Sequence, residues 1–424
     1  MENTINNDGE TSQAVANSSV ASTDIFIESK KGRVEAVRQL IDEGALVNEF
    51  NDFDQTALFI SSTYGHNEIV RLLIHARASI NLGYKNGETP LFIASQFGHI
   101  TVVRLLIHAG AEINQTYPFS GKTPLLISSQ NNNIEIVRLL IHASAEINQA
   151  DNFGDTALFI SSLIGNNEIV RLLIHAKAEI NQANKKGKSP LFVASQQGNV
   201  TVVRLLIRAR AEINQADTNG ETPLFISSIN GHIEIVRRLI DARAEINQAD
   251  KKGKSPLLVA SQNGHITVVR LLIHAGAEIN QADYWGLTPL LFASYNGHIV
   301  IVRLLIDAGA LTNLSNKKGQ TPIWMASRQG HIEIVRLLIL HGSDMEQPDN
   351  QGNILIVQAK IFLRFKVVEY LASDECKREA KWQRRKYYAF FLHSMKKETV
   401  FTIMAFEKVM LSTQDTRYHI ASFL

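Results

Sequence analysis

The chain has 424 residues, with Lys+Arg 43 against Asp+Glu 41 and a formal net charge of +2. That balance excludes the one-sided charge of a general nucleic-acid or membrane-surface binder, and a single cysteine, Cys376, excludes an internal disulfide framework. No apolar run reaches the roughly 20 residues of a membrane-spanning helix, and the opening Met1-Glu-Asn-Thr-Ile-Asn-Asn-Asp has no basic region ahead of an apolar core, so the expected location is cytoplasmic, with the nucleus also open, and not secreted.

Residues 1–22 are rich in Asn, Ser, Thr and Ala and read as a disordered tail. Residues 24–50 hold one amphipathic helical pattern. From there the chain copies itself: a Thr or Ser recurs at 56, 89, 123, 156, 189, 222, 255, 288 and 321, in steps of 33 with a single step of 34 between Thr89 and Thr123. A fixed period of this length means a stack of supersecondary units, each in contact with its neighbours only. The extra residue of the longer step lies near Tyr117-Pro118-Phe119, in a turn, where insertion is cheap.

The copy at 88–114 shows the unit. Thr89 is a good N-cap, and Pro90 suits the first helical position, where no N–H is needed. Leu91, Ala94 and Ser95 fall on one side of a short helix that stops at Gly98. A second helix runs from about Ile100 to His108, with Ile100, Val103, Leu106 and Ile107 apolar, and Gly110 stands where a left-handed residue ends it. Helices of under three turns are not stable alone in water, so each must bury its apolar face against neighbouring copies.

This unit resembles the ankyrin repeat, through Gly87, Thr89, Pro90, Leu91, Ala94, Gly98, His99, Val103, Leu106, Gly110, Ala111 and Asn114. The match recurs nine times between about residue 51 and 348, with degenerate copies at 24–50 and 349–373. The resemblance implies an all-α solenoid of helix-turn-helix units with short hairpin-like turns, elongated and curved, over residues 23–373. One departure is consistent: the family's His after Pro-Leu is Phe59, Phe92, Leu126, Phe159, Phe192, Phe225, Leu258, Leu291 or Trp324, which replaces a polar inter-repeat bond with apolar packing. The family's Gly after the second helix is Arg77, Ser144, Lys177, Arg210 or Arg243 in five copies, each costing roughly 1 kcal/mol in the left-handed region.

The residue before the Thr/Ser cap alternates in sign through Glu88, Lys122, Asp155, Lys188, Glu221 and Lys254. Copies about 10 Å apart bring long side chains of opposite sign within reach of each other. Duplication of a two-copy block accounts for the same alternation.

Residues 374–424 break the period. They carry ten basic against six acidic residues, with Trp382, Tyr387, Tyr388, Phe390 and Phe391 among them. Two or three helices that close the end of the stack are expected, or else a docking segment. Residues 413–424 faintly resemble the opening helix of an F-box, without its Leu-Pro start, and from this follows the alternative of a substrate-recruiting adaptor of a ubiquitin ligase.

Sites for chemistry are missing from the pattern. Gly121-Lys122-Thr123, Gly187-Lys188-Ser189 and Gly253-Lys254-Ser255 imitate the end of a phosphate loop, but Thr116, Gln182 and Gln248 stand where its first glycine is required. His75, His108, His142, His175 and His274 form a column at repeat spacing, too far apart to share a metal, and each lies near a helix C-terminus. No catalytic, metal or cofactor residues are assigned, and no enzyme is expected.

Function then lies where the copies differ: the residues around each turn glycine and the pair before the inter-helix glycine. In ankyrin-repeat proteins, by resemblance, these line the concave face and hairpin tips that hold partner proteins. Tyr284, Trp285, Leu287 and Tyr295 put an aromatic and apolar group on one copy, flanked by Lys251, Lys252 and Lys254 on one side and by Lys317, Lys318 and Arg328 on the other. The expectation is a non-enzymatic scaffold for a protein partner with an apolar anchor between acidic residues, with neither nucleic acid nor membrane insertion.

Overall fold

The structure is a computed structural model that describes residues 24–362 and 364–381. The expectations placed on 1–22, on 382–424 and on the F-box-like stretch lie outside the described residues. The chain divides into two compact units, Met1–Lys251 and Lys252–Leu424.

Both units are built of helix pairs at the predicted spacing. The first holds Ala57–Tyr64 with Asn67–His75, Pro90–Phe97 with Ile100–His108, Pro124–Gln130 with Ile134–His142, Ala157–Ile164 with Asn167–His175, Pro190–Gln197 with Val200–Arg208, and Pro223–Asn230 with Ile233–Asp241. The second holds Pro256–Asn263 with Ile266–His274, Pro289–Asn296 with Ile299–Asp307, Pro322–Gln329 with Ile332–Leu340, and Leu355–Ile361 with Phe365–Ala372. Among the described residues there is no strand, only an isolated bridge between Gln55 and Tyr84. The copy at 24–50 is more complete than its sequence indicates. Residues 24–31 are helical although the Thr-Pro-Leu opening is absent, and buried Ile25, Phe26 and Ser29 pack where that opening would lie.

The local signals act as expected. Thr89 Oγ accepts a hydrogen bond from the Phe92 N–H at 3.1 Å, with Pro90 in the first turn, and Gly98 takes a left-handed φ of 81° at the helix end. Within each unit the first helices are buried almost throughout, because they pack on the other first helices of that unit and on their own second helices. In the first unit Leu126, Phe159, Ile160, Phe192, Val193 and Ile226 form one continuous cluster. The apolar residues that stand in place of the family histidine therefore make the core run from copy to copy, each large side chain adding about 1.5–3 kcal/mol of burial. Arg77, Ser144, Lys177, Arg210 and Arg243 do adopt the left-handed conformation, with φ between 61° and 64°.

Polar ties repeat with the same period. Asn81 Oδ1 accepts from the Glu112 N–H at 2.9 Å, and Asn181 and Asn280 do the same for Glu212 and Leu311. The residue after the inter-helix glycine, or after left-handed Asn132 in its place, reaches back one copy: His99 Nε2 lies 2.9 Å from the Thr63 carbonyl, Asn133 donates to the Ser95 carbonyl at 2.8 Å, and His298 Nε2 lies 3.1 Å from the Gln262 carbonyl. These bonds satisfy carbonyls that a helix end leaves without partners. The outer histidines act locally instead, with Nδ1 of His75, His108 and His274 within 2.9 Å of the carbonyl four residues earlier.

The alternating charges before the caps do not meet as ion pairs in Glu88, Lys122, Asp155 and Lys188. Lys122 Nζ donates to Gln130 Oε1 at 2.6 Å, Lys188 bonds Gln196 and lies over the Phe192 ring, and Asp155 accepts from Asn184. The two lysines thus take a glutamine eight residues on in their own copy, whereas Asp155 takes an uncharged partner on the next copy. The longer step at Tyr117 is absorbed in its turn, where Tyr117 N–H bonds the Lys122 carbonyl, five residues on, while Asn184 in an ordinary turn bonds Lys188, four on.

Residues 374–381 form a further helix, against which Tyr370 donates to Glu379, and the buried Cys376 thiol approaches Met345 Sδ at 3.4 Å. The Arg336 guanidinium lies 4.7 Å from the centre of the Tyr370 ring. Burial and the Glu379 carboxylate push the Tyr370 hydroxyl well above the ordinary tyrosine range.

Candidate partner-binding surface

In the second unit the turn tips form a ladder through their backbones. Tyr284 N–H donates to the Lys252 carbonyl at 3.0 Å, Lys317 N–H to the Trp285 carbonyl at 2.9 Å, and Asn350 N–H to the Lys318 carbonyl at 3.0 Å. Each tip is also closed on itself. The buried Asp283 carboxylate accepts from the Trp285 and Leu287 N–H groups, both at 2.9 Å, and Gly286 takes the left-handed φ of 77° that the turn requires. Asn316 repeats this closure with the N–H groups of Lys318 and Gln320. Burial works to raise the Asp349 carboxyl, but hydrogen bonds from Asn353 and Gln351 outweigh it and hold the group below its ordinary range.

On this rigid ladder the side chains of Tyr284 and Trp285 are 62% and 52% exposed, although aromatic area of that size is normally buried. The Tyr284 ring lies against the tip of the preceding turn: a Cβ added at Gly253 would stand 3.0 Å from its Cδ1. Tyr295 lies near the end of helix Pro289–Asn296, exposed, with its carbonyl 3.0 Å from His331 Nε2.

The remaining candidates divide. Lys252, Lys317 and Lys318 are exposed on the tips. Lys254 is half-buried, with Nζ 5.3 Å from the centre of the Phe292 ring and 3.4 Å from Gln262 Oε1. Arg328 is half-buried between two rings, 5.6 Å from Trp324 and 4.6 Å from Phe362, an arrangement that favours a cation. Leu287 is packed against the cluster of Leu291, Trp324 and Met325, so it supports the tip from below. Lys251 belongs to the other unit, where it is exposed and its N–H bonds the Asn219 carbonyl at 2.8 Å.

The first unit carries aromatic tips of its own at Phe53, Phe119 and Phe153, all strongly exposed. Sequence reasoning set most weight on the Tyr-Trp pair, counted Phe153 only among the variable turn positions and passed over Phe53 and Phe119; the signal was the same one, an aromatic residue at a turn position that most copies give to Lys, Asn or Ser. Among the described residues no group of His, Cys, Asp and Glu is arranged to hold a metal ion, and no helix is long and apolar enough to cross a membrane.

The family model described as ankyrin repeats (3 copies) matches residues 25–117, 85–151, 125–217, 191–283 and 280–349. No curated protein matches the chain. The matches run without a gap from 25 to 349 over copies whose caps, turns and inter-repeat bonds are those described above, and the chain belongs to the ankyrin-repeat family, a protein-interaction scaffold.

Proposed function

We propose that the chain is a non-enzymatic scaffold that binds a partner protein on the face carrying the turn tips and first helices, with Tyr284, Trp285 and Tyr295 as anchors. The observation that carries this reading is the exposure of an adjacent Tyr and Trp on a tip whose backbone is held on both sides. A preorganised aromatic anchor loses little freedom when it is covered, and such residues dominate interface energies. Lys252, Lys317 and Lys318 rim the anchors with positive charge, which favours a segment with an apolar side chain between Asp or Glu residues and speeds its approach.

Affinity capture with the full chain tests this reading. Wild-type protein should retain a partner that Trp285→Ala and Tyr295→Ala lose, with thermal melting nearly unchanged in both variants. Retention of the partner at wild-type levels by both places the anchor elsewhere.

A further inference from the structure

In the second unit Trp324, Arg328 and Phe362 depart from their repeat positions together. Arg328, in the last turn of helix Pro322–Gln329, stands where every other copy from Thr63 on has Thr, Gln, Leu, Ile or Tyr. Trp324 stands where those copies have Phe, Leu or Val, and Phe362 takes the place of Asn263, Asn296 and Gln329 in the preceding copies. The fold brings these side chains to one point. The Arg328 guanidinium carbon lies 5.6 Å from the centre of the Trp324 ring and 4.6 Å from that of Phe362.

The rings hold this cation but leave its hydrogen bonds unmade. Arg328 is half-buried, yet among the described residues its guanidinium donates to no acceptor and pairs with no carboxylate. Its tie to the next copy is made by its backbone, whose carbonyl accepts from Arg364 Nε at 3.0 Å. A guanidinium is a planar fork of N–H donors that fits the two oxygens of a carboxylate. Rings on either side keep water from screening such a pair, and a side chain already held in place loses little freedom when the pair forms.

The face around Arg328 carries charge of one sign. Between residues 252 and 362 the turns and first helices hold Lys252, Lys254, Lys317, Lys318, Arg328 and Lys360. The carboxylates on the same turns and helices are Asp283 and Asp349, both buried and both accepting from N–H groups of their own turns. The remaining acidic residues of this stretch lie elsewhere in each copy. Asp307 and Glu333 are on second helices, and Glu278, Asp344 and Glu346 are in the loops that leave second helices.

We infer that Arg328 is the carboxylate anchor of this surface, and that an Asp or Glu side chain of the partner segment docks on its guanidinium. The inference rests on the proposed role of Trp285 and Tyr295 as anchors, and it gives the partner's acidic group one place. The lysines on the tips steer the segment, whereas Arg328 sets which of its residues must be acidic. Helix Pro289–Asn296 rises roughly 12 Å, and the next copy lies about 10 Å away. An extended segment at roughly 3.3 Å per residue therefore covers the diagonal from Trp285 to Arg328 in about five residues.

Selection of a phage-displayed library of random peptides on the full chain tests the inference. Retained peptides should carry Asp or Glu about five residues from an apolar side chain. One of them is then labelled and measured by fluorescence anisotropy against the same peptide with Gln or Asn in place of the acidic residue. Wild type should bind the acidic form tighter by about tenfold or more. Arg328→Gln and Arg328→Lys should each bring that ratio to about threefold or less, with thermal melting that shows both variants folded. Trp285→Ala should weaken both forms alike and keep the ratio. A ratio that survives either Arg328 substitution, or retained peptides without acidic residues, overturns the carboxylate anchor while Trp285→Ala still weakens binding and the aromatic anchors stand. Binding indifferent to Trp285→Ala, or no peptide retained, overturns both readings. Sedimentation showing that wild type self-associates and Arg328→Gln does not makes a second copy the occupant, and overturns the inference as well.

Discussion

His331 Nε2 lies 3.0 Å from the carbonyl oxygen of Tyr295, so a residue whose side chain is a candidate anchor ties its copy to the next through its backbone. The same bond recurs from His99 to Thr63, His232 to Gln196 and Arg364 to Arg328. The side chain at this place can then be Thr, Gln, Tyr or Arg without loss of the inter-repeat tie, which is what a surface that varies on a constant frame needs.

Separable effects follow at these two positions. His331→Ala should lower stability by about 1 kcal/mol, the usual net value of one hydrogen bond, and Tyr295→Ala should change it little because the carbonyl remains. Chemical unfolding of both variants measures the difference; equal losses would show that the Tyr295 side chain also holds the fold.

Two glycines of one copy should respond differently to a methyl group. Gly297 and Gly309 both have left-handed φ, 81° and 91°, but a Cβ at 297 would stand 2.6 Å from the His331 ring, and at 309 nothing lies within 4 Å. Gly309→Ala should cost about 1 kcal/mol, from φ alone, a strain that Arg243 already tolerates at the same place with φ 64°. Gly297→Ala should cost more, by roughly another 1–3 kcal/mol as the imidazole is displaced. Unfolding curves that rank the two equally would contradict this.

The N-caps, helix ends and period were legible because each rests on short-range chemistry: Thr89 and Pro90 signal a helix start wherever they occur, and Gly98 its end. What escaped notice depended on where a side chain points once several partners are in reach. Lys122 reads as a mate for Asp155, yet takes Gln130 on its own copy. Leu287 reads as part of an exposed group, yet its spacing from Leu291 and Trp324 turns it to the core. Residues 24–31 fold as a helix without the Thr-Pro-Leu signal because Ile25 and Phe26 still supply the buried side. In the candidate surface, the aromatic positions and the flanking lysines were readable, whereas the backbone ladder that holds the tips was not, since its bonds involve no particular side chain.

Stability should depend on pH in two opposing ways. Burial holds the Glu88 and Asp155 carboxyls above their ordinary values, so as the pH falls the folded state takes up these protons first and gains stability relative to the unfolded chain. Asp349, held below its ordinary value, contributes stability that is present above the unfolded aspartate value, near about 4, and lost as the pH falls through its lowered folded value. Melting should therefore be as high at about pH 5 as at about pH 7, and fall below about pH 4. Glu88→Gln should melt no lower than wild type at neutral pH, and a clear drop would show that the charged form makes a bond that stabilises the fold.

The most direct measurement of the binding account is the kinetics of the captured partner on wild-type and variant chains, followed by surface plasmon resonance. Trp285→Ala should speed dissociation by about thirtyfold, the equivalent of about 2 kcal/mol for a buried aromatic anchor. Lys317→Glu with Lys318→Glu should instead slow association and flatten its dependence on salt. A Trp285→Ala protein that melts like wild type and releases the partner at the wild-type rate would contradict the account.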